Sequence, residues 1–433
     1  MRVLVLGGYG VIGTRVCLAL IARGHEVVGL GRSIRRAQRR LPRVSWIEGD
    51  LRQLVTADVW RAVLSEARAD AVVNAAGVLQ DGGQDDVQAV QEKAIVALIA
   101  ACRDAGLPKF VQISATRAVA TASTTFMQTK GRADAALRES GLDWVILRPG
   151  LVIACDAYGG TALVRALAAM PIVALPAFPD SRMQTVDVDD VAHAVVGAVE
   201  GLVPAGATFD LVEEQSHSLN EVVGRFRAWL GLSSQSVILV PEGVARWVGR
   251  AADLLGRFGW RSPLRTTAIE EMRAGVLGDS APWRRLSGAP LASLDEILMR
   301  RPSTVQDRWF AHLFLLVPVV IGGLSLFWIG SGLIGIASFA AAKNVLADSG
   351  LGDLAQTALV GGGALVDVGL GVMILWRARA RQAAWGMVAV SLLYLAGGTI
   401  LTPELWGDPL GPLLKIAPGM VLALVAAQLV DER

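Results

Sequence analysis

The sequence predicts an α/β fold: a doubly wound parallel sheet with a small substrate-side subdomain, followed by a four-helix transmembrane bundle. Three observations lead to this prediction. A glycine-rich loop follows the first apolar run, short apolar runs then alternate with helical segments, and charge nearly disappears after residue 310. The 433 residues are 53% hydrophobic and 18% charged, which is too apolar for an ordinary soluble protein.

Charge and composition exclude several classes of protein. The net charge is +2, so no overall electrostatic field favours nucleic acid as a partner. The three cysteines lie far apart with no CxxC pair, which argues against a zinc site or a disulfide framework and fits a reducing compartment. With four scattered histidines, we expect no metal site.

The first element is a buried strand, RVLVL, at residues 2–6. It is followed by GGYGVIG and the helical pattern TRVCLALIARG. Gly7 permits a tight turn, Gly10 lets the backbone approach a phosphate, and Gly13 lets the helix pack on the strand. The helix N-terminus then presents free N–H groups to a pyrophosphate. This strand–loop–helix unit predicts a Rossmann-type dinucleotide site, with Tyr9, Val11 and Ile12 completing the loop.

The second strand, EVVGLG at 26–31, ends before Arg32. A fold that prefers NAD(H) places an acid near this point for the ribose hydroxyl, whereas an arginine suits the 2′-phosphate of NADP(H). The alternative is an arginine on a solvated basic face. We favour phosphate contact, and therefore expect NADP(H) to be preferred over NAD(H).

The alternation of strands and helices continues to about residue 150. Further strands are predicted at 44–47, 71–74, 109–114 and 143–147, with helices near 84–105 and 123–140. Such alternation gives a parallel sheet whose ligand lies at the carboxyl ends of the strands.

Seven segments carry a family resemblance, and they occur in this order: GGYGVIG, GDL, NAAG, QEKAIVALIAACRDAGLPKFVQISA, TKGRADAAL, LRPG and TVDVDDVAHAV. Together they resemble the extended and atypical short-chain dehydrogenase/reductases, including the NmrA-like members and the accessory subunit of respiratory complex I. The resemblance covers residues 1–300. It implies further cofactor contacts at the strand ends and a lysine on the nicotinamide ribose, namely Asp50, Leu51, Ala75, Ala76, Gly77 and Lys130.

The resemblance also defines catalytic positions, and one of them is altered. Ser114 matches the family serine and Lys130 the family lysine, but Phe126 stands where the family has its proton-transferring tyrosine. Tyr158, just beyond the LRPG motif, lies where the family builds its substrate pocket and is a candidate for the missing hydroxyl. The alternative is an ordinary tyrosine of the pocket wall.

Residues 205–300 are expected to form the substrate-side subdomain, joined by a linker at 301–309 to a membrane domain at 310–433. Within the subdomain, PEGVARWVGRAADLLGRFGWR at 241–261 has apolar residues at helical spacing and four arginines. Two readings stay open for this basic amphipathic helix. It lies on an anionic membrane surface, or its apolar face packs on the sheet domain.

Four apolar stretches, at 310–329, 355–376, 383–401 and 410–430, are each about long enough to cross a bilayer. Arginines precede the first stretch and fill the turn between the second and third. By the positive-inside rule, the soluble domain and the C-terminus face the cytoplasm and the protein is a multi-pass inner-membrane protein. The span number and small-residue content resemble the DoxX-like membrane proteins.

Asp367 interrupts the second apolar stretch, and Tyr394 is the partner that best matches it in depth. Such an acid serves either as a structural hydrogen bond between helices or in proton or quinone handling.

Together these features predict a membrane-anchored NAD(P)H-dependent oxidoreductase acting on a hydrophobic, lipid-like or quinone substrate. The alternative is a non-catalytic NADP(H)-binding redox sensor or an assembly factor with a partner in a membrane complex.

Overall fold

The computed structural model describes residues 1–83, 85–176, 178, 181–233, 236–260 and 262–431. Two compact units make up the described chain. The first comprises Met1–Asp253 and Ser262–Ala311, and the second comprises Leu254–Arg261 and His312–Arg433. The segment 254–261 therefore belongs to the second unit although its neighbours on both sides belong to the first.

The strands all lie in the first unit. They are β1 (Arg2–Leu6), β2 (Glu26–Gly31), β3 (Ser45–Glu48), β4 (Ala71–Asn74), β5 (Lys109–Ile113), β6 (Asp143–Pro149), β7 (Leu151–Ile153), β8 (Ile172–Pro176), β9 (Arg182–Met183), β10 (Thr185–Asp187), β11 (Ala207–Leu211), β12 (His217–Ser218) and β13 (Ser236–Val240). In the described residues, seven of these strands form one parallel sheet in the order β11-β6-β5-β4-β1-β2-β3.

Helices α1 and α7 pack on one face of this sheet, and α3, α4 and α5 pack on the other. The helices before residue 301 are α1 (Val11–Ala22), α2 (Ile34–Arg40), α3 (Ala57–Ala67), α4 (Ala94–Asp104), α5 (Thr125–Arg138), α6 (Gly159–Ala169), α7 (Val188–Val199), α8 (Leu219–Trp229), α9 (Glu242–Arg257), α10 (Thr266–Ala274), α11 (Ala281–Ser287) and α12 (Leu294–Arg300). A π-helical turn, Ala89–Lys93, precedes α4.

Each sheet face has its own apolar core. Val3 and Val5 of β1 point into the core that contains α1 and α7, whereas Leu4 and Leu6 point into the core that contains α3, α4 and α5. A strand buried on both faces must be apolar throughout, which is why RVLVL reads as an unbroken apolar run.

The predicted parallel, doubly wound sheet is confirmed, and β1, β2 and β4 have the predicted bounds. The strand β11 was not anticipated. Residues after 205 were assigned to the substrate-side subdomain, yet β11 pairs with β6 at the edge of the main sheet, with Ala207 opposite Val145. Because an edge strand is only half buried, ATFDL lacks the continuous apolar signal of the central strands.

Three short strand pairs, β7–β10, β9–β12 and β8–β13, lie outside the main sheet. Around them, α6, α8 and α12 enclose a smaller core that includes Ile153, Val164, Phe226 and Leu294.

The second unit is helical. After α13 (Val305–Phe314), the helices are α14 (Leu316–Ala337), α15 (Phe339–Asn344), α16 (Asp353–Met373), α17 (Ala380–Leu401) and α18 (Ile416–Asp431). Among the described residues, α14, α16 and α17 are long and apolar enough to cross a membrane, and Ile416–Val430 is a shorter apolar helix.

The helices of the first and fourth predicted stretches begin later than the hydropathy predicted, and the fourth, Ile416–Val430, falls among the shorter apolar helices. The stretch expected from residue 310 is broken at Leu315, because Pro318 has no N–H for the Phe314 carbonyl. The stretch expected from residue 410 becomes helical only at Ile416, after Gly411 and Pro412.

Within the bundle, Asp367 of α16 is buried and accepts two hydrogen bonds. The Tyr394 hydroxyl donates to Oδ1 at 2.7 Å and the Ser331 hydroxyl donates to Oδ2 at 2.9 Å. Tyr394 was the predicted partner, and Ser331 is a second partner from α14.

Phe258 and Trp260 pack on the turn between α16 and α17. The Arg377 N–H donates to the Phe258 carbonyl at 3.0 Å, and the Trp260 indole N–H donates to the Leu375 carbonyl at 2.6 Å. The Arg377 guanidinium also lies over the Trp260 ring, 5.7 Å from its centroid.

Candidate cofactor and active site

The glycine loop joins β1 to α1, and its shape depends on having no side chain at two positions. Gly7 has a φ of +70°, and a Cβ there would lie 2.8 Å from the Ala75 carbonyl oxygen. A Cβ on Gly13 would lie 2.1 Å from the Gly7 carbonyl oxygen. The loop therefore folds back tightly and brings the start of α1 against the carboxyl ends of β1 and β4.

The N-terminus of α1 is suited to an anion. Gly10 is its N-cap, and in the described structure no side chain caps the helix. The N–H groups of Val11, Ile12 and Gly13 precede the first intrahelical donor and carry the positive end of the helix dipole. These residues fit the pyrophosphate of a dinucleotide.

Tyr9 closes the loop toward β2. Its ring packs edge-on against Trp46, with centroids 5.7 Å apart, and a Cβ on Gly31 would lie 2.4 Å from the Tyr9 Cε1 atom. Tyr9 thus lies at the end of β2, beside Arg32.

Acidic side chains surround Arg32. Its Nη2 lies 3.2 Å from Oδ1 of Asp85, which comes from the loop after β4. Asp50, after β3, accepts hydrogen bonds from Arg52, and these, aided by the charges of Arg52 and Arg32, hold the pKa of Asp50 below its usual range. Leu51, beside it, packs against the second core. The sequence pointed to Arg32 and Asp50 but not to Asp85, which is 53 residues from Arg32.

The residues that follow β4 form the next part of the candidate cofactor site. Ala76 N–H donates to the Asn74 side chain at 3.0 Å, which fixes the backbone of Ala75, Ala76 and Gly77. A Cβ on Gly77 would lie 3.1 Å from Gln91 Oε1 and 3.6 Å from Lys130 Nζ. Gln91 Oε1 is buried and accepts no hydrogen bond from the residues described, so it is available to a donor on a ligand.

Lys130 and Phe126 share one face of α5. The Lys130 ammonium donates to the Ile113 carbonyl at 3.1 Å, at the carboxyl end of β5. The centroid of the Phe126 ring lies 5.8 Å from Nζ. Burial lowers the pKa of Lys130 to about 8, although the nearby Asp134 carboxylate opposes this shift. Lys130 is therefore charged at neutral pH.

Ser114 is hydrogen-bonded to a residue that sequence reasoning missed. Its hydroxyl donates to Asp134 Oδ2 at 2.8 Å, and Arg148 Nη2 lies 3.3 Å from the same oxygen. Asp134 is fully buried, and desolvation raises its pKa despite these partners. The available signals were the four-residue spacing from Lys130 to Asp134, which puts both on one helix face, and Arg148 in the LRPG motif.

Tyr158 lies at the N-terminus of α6 with 64% of the residue exposed. Within the described chain, no hydrogen bond connects its hydroxyl with Ser114 or Lys130. The structure thus brings Ser114, Lys130, Phe126 and Gly77 to neighbouring strand ends, and places Tyr158 in a separate loop.

Comparison with known families matches each unit. The NAD(P)H-binding family matches residues 7–201, and the DoxX-like family matches residues 325–424. An uncharacterized chloroplastic protein of Arabidopsis thaliana is 31% identical over 219 residues, covering 46% of this chain and 71% of that protein. A UDP-glucose 4-epimerase of Klebsiella pneumoniae is 32% identical over 124 residues, covering 26% and 86%.

The photosystem II assembly factor Ycf39 of Synechocystis is 30% identical over 151 residues, covering 34% of this chain and 44% of that protein. Among solved structures, Bordetella bronchiseptica WbmG with NAD and UDP has a TM-score of 0.53 at 17% identity, covering 69% of this chain and 93% of that one. UDP-glucose 4-epimerase of Thermus thermophilus, with NAD, has a TM-score of 0.52 at 20% identity, covering 69% and 96%.

The structural similarities establish the fold, and the sequence matches establish the family. The chain belongs to the NAD(P)-binding Rossmann proteins of the short-chain dehydrogenase/reductase type and carries a DoxX-like membrane domain at its C-terminal end.

Proposed function

We propose that this protein is a membrane-anchored NADP(H)-dependent oxidoreductase that reduces a hydrophobic quinone-type acceptor. The observation that carries the proposal is the pairing of Lys130 with Phe126. The cofactor side of the site is built, whereas the usual proton donor is replaced by a ring with no ionisable group.

The proposed cofactor contacts combine the positions of these residues at the strand ends with the roles that the family resemblance implies. Gly7, Gly10 and Gly13 would hold the pyrophosphate with the backbone of Val11 and Ile12, and Tyr9 would lie at the adenosine side. Arg32 would contact the 2′-phosphate. The remaining contacts would be Asp50 and Leu51 to the adenine, Ala75, Ala76 and Gly77 along the dinucleotide, and Lys130 to the nicotinamide ribose.

A quinone suits this site better than a ketone. The reduced cofactor supplies a hydride, that is, two electrons and one proton. A ketone that accepts a hydride becomes an alkoxide, a strong base that a positioned acid must protonate. A quinone becomes a phenolate-type hydroquinone anion, a far weaker base that takes its second proton from water. A charged Lys130 favours such an anion, so Phe126 is compatible with turnover.

The membrane domain favours an acceptor dissolved in lipid. Arg377 and Arg379 lie in the turn between two candidate spans and Arg381 lies at the start of the second of them, which supports a cytoplasmic position for that turn. We therefore propose an inner-membrane location with the Rossmann unit in the cytoplasm.

A second candidate function is non-catalytic. The Ser114 hydroxyl already donates to the buried Asp134, and Phe126 cannot donate a proton. A site of this kind still binds cofactor, as a redox sensor or an assembly factor for a membrane complex would require. The similarity to an assembly factor supports this alternative.

The experiment measures NADPH oxidation by the full-length protein in proteoliposomes, with quinones of increasing chain length and with aryl ketones. We expect turnover with quinones and negligible turnover with ketones. Lys130→Met should reduce the quinone rate. Lys109→Met is a matched control, because Lys109 also donates to a backbone carbonyl, at 2.9 Å, but lies at the opposite end of β5.

Tyr158→Phe should leave the rate unchanged; a lost rate would make Tyr158 the proton donor. Tight NADPH binding with no oxidation by any acceptor would favour the non-catalytic function. Efficient ketone reduction that survives Tyr158→Phe would contradict the proposed role of Phe126.

A further inference from the structure

The amphipathic helix α9 attaches to the first unit through its smallest residues. Ala245, Gly249 and Ala252 are buried and recur along one face. A Cβ on Gly249 would lie 3.0 Å from Ile269 Cδ1 of α10. The helix therefore packs on α10 through a narrow face of alanine and glycine. Its large apolar side chains lie outside this contact.

A second face of α9 is apolar and exposed. Trp247 is 71% exposed and Val248 is 43% exposed. Val244, Leu254 and Leu255 are exposed on the same face, and Phe258 continues it beyond the helix. These positions recur at intervals of three and four residues, so they form one continuous stripe. A stripe of this size on a water-facing helix marks a binding surface.

The third face of α9 is basic. Arg246, Arg250 and Arg257 are exposed along it. Glu242 lies 2.8 Å from Arg273 outside the helix and 3.9 Å from Arg246 within it, and Asp253 lies 2.8 Å from Arg265. The side chains of Arg246, Arg250 and Arg257 thus form a basic border beside the apolar stripe. Apolar side chains bordered by arginines complement a lipid surface with anionic headgroups. The apolar side chains enter the boundary of the acyl chains, and the arginines contact the lipid phosphates.

The end of α9 identifies the occupant of this surface. The last residues of α9, from Leu254 on, belong to the second unit, and Phe258 and Trp260, just beyond the helix, hydrogen-bond to the turn at Leu375 and Arg377. That turn connects two candidate membrane spans, so it lies where the spans leave the hydrocarbon. The helix therefore ends at the level of the membrane boundary.

We propose that α9 is an interfacial helix, with the stripe Val244, Trp247, Val248, Leu254 and Leu255 inserted into an anionic lipid surface and its arginines at the headgroups. The helix α9 would then contact lipid in addition to the transmembrane helices. This proposal does not depend on the proposed catalytic function, since it concerns only the placement of α9.

The test uses the full-length protein in proteoliposomes with a Cys155→Ser background, since Cys17 and Cys102 are buried. Spin labels are attached at Trp247→Cys and Val248→Cys on the apolar stripe and at Arg250→Cys on the basic face. The matched controls are Leu202→Cys and Leu18→Cys in the first unit, where the native residues are 71% and 43% exposed. Each variant must retain NADPH binding, and Val244→Cys replaces any that does not.

Collision with a water-soluble nickel chelate should be on the order of tenfold less frequent at the stripe positions than at their controls, because a polar chelate is excluded from hydrocarbon. Collision with oxygen should be more frequent there. Arg246→Glu/Arg250→Glu should lower the ratio of inserted to water-exposed label by at least about fivefold in anionic vesicles.

Two results would overturn the proposal as a whole, and a third would overturn one part of it. Nickel access at Trp247→Cys equal to that at Leu202→Cys would place the stripe in water. Low access to both nickel and oxygen, with dipolar broadening between labelled molecules, would show that a second copy of the chain covers the stripe. Insertion that does not respond to lipid charge or to the arginine reversals would overturn the role assigned to the basic face.

Discussion

Phe126 is the position where an added phenol should convert the site into a carbonyl reductase. The Phe126 ring centroid lies 5.8 Å from the Lys130 ammonium, and the two side chains are one helical turn apart. Phe126→Tyr therefore introduces a hydroxyl near a positive charge, which lowers the pKa of a phenol. A positioned general acid contributes about 10²–10⁴-fold, and we expect aryl ketone reduction to rise by that factor.

The gain should depend on pH through Lys130. Burial lowers its pKa to about 8, so the side chain is charged below that pH and neutral above it. At pH 7 about ten molecules carry the charged lysine for each neutral one, and at pH 9 the ratio is reversed. The rate of Phe126→Tyr should therefore begin to fall near pH 8 and decline about tenfold per further unit.

The assay follows NADPH oxidation by the full-length protein in proteoliposomes across this pH range, with the NADPH dissociation constant measured in parallel. Phe126→Tyr/Lys130→Met should lose the gain. Phe327→Tyr, which adds a phenol at an exposed position of the bundle, should show none. An unchanged ketone rate in Phe126→Tyr, with NADPH affinity and thermal stability retained, would refute the reasoning, because the substrate would then not approach this face of α5.

Three further predictions address the rest of the molecule. Arg32→Ala should weaken NADPH binding by ~1.5–3 kcal/mol and leave NADH binding nearly unchanged, because only NADPH has a 2′-phosphate to contact the arginine. Fluorescence titration measures both dissociation constants, and equal affinities of the wild type for NADPH and NADH would contradict the assignment. Asp134→Ala should destabilise the first unit by ~1–3 kcal/mol, because the buried Ser114 hydroxyl loses its acceptor and the partly buried Arg148 loses its carboxylate. As a control, Asp58→Ala removes an exposed carboxylate and should cost at most ~1 kcal/mol of stability. The thermal transition whose midpoint rises with NADPH measures the stability of the first unit in both variants, and equal losses would argue against an important role for the Asp134 carboxylate. Asp367→Leu removes the acceptor of the Tyr394 and Ser331 hydroxyls, so the bundle should lose ~1 kcal/mol in detergent with unchanged NADPH affinity; loss of quinone reduction without loss of stability would instead assign Asp367 a functional role.

The central sheet could be predicted because each of its signals is local. The strand β1 is apolar on both faces, and the glycine loop and α1 follow it without a gap. The bounds of β1, β2 and β4 follow from runs of apolar residues alone. The edge strand β11 carries a weaker signal because one of its faces is half exposed, and sequence reasoning missed it.

The polar contacts of the site were less predictable, because they join residues far apart in the sequence. Ser114 and Asp134 are 20 residues apart, and Arg32 and Asp85 are 53 residues apart. Their pairing depends on how α5 and the loop after β4 return to the strand ends. Only the spacing of Lys130 and Asp134 on one helix face was visible beforehand.

The helix α9 shows a different limit of sequence reasoning. Its apolar stripe could be read from periodicity, and one open reading had that stripe packing on the sheet domain. The structure packs the alanine and glycine face instead and leaves the large apolar residues exposed. Periodicity identifies a stripe but does not say which face meets the protein, because small residues also pack closely.

The hydrogen bond from Arg377 to Phe258 sets an order of events during synthesis. Phe258 leaves the ribosome 119 residues (377 − 258) before its partner, which corresponds to roughly 6–24 s at usual elongation rates. During that time the hydrogen bonds of Phe258 and Trp260 with Arg377 and Leu375 cannot form, although the sheet around β1 can already fold. In a nascent chain that stalls before α17, these aromatic residues would therefore stay without the hydrogen bonds that hold them in the finished protein.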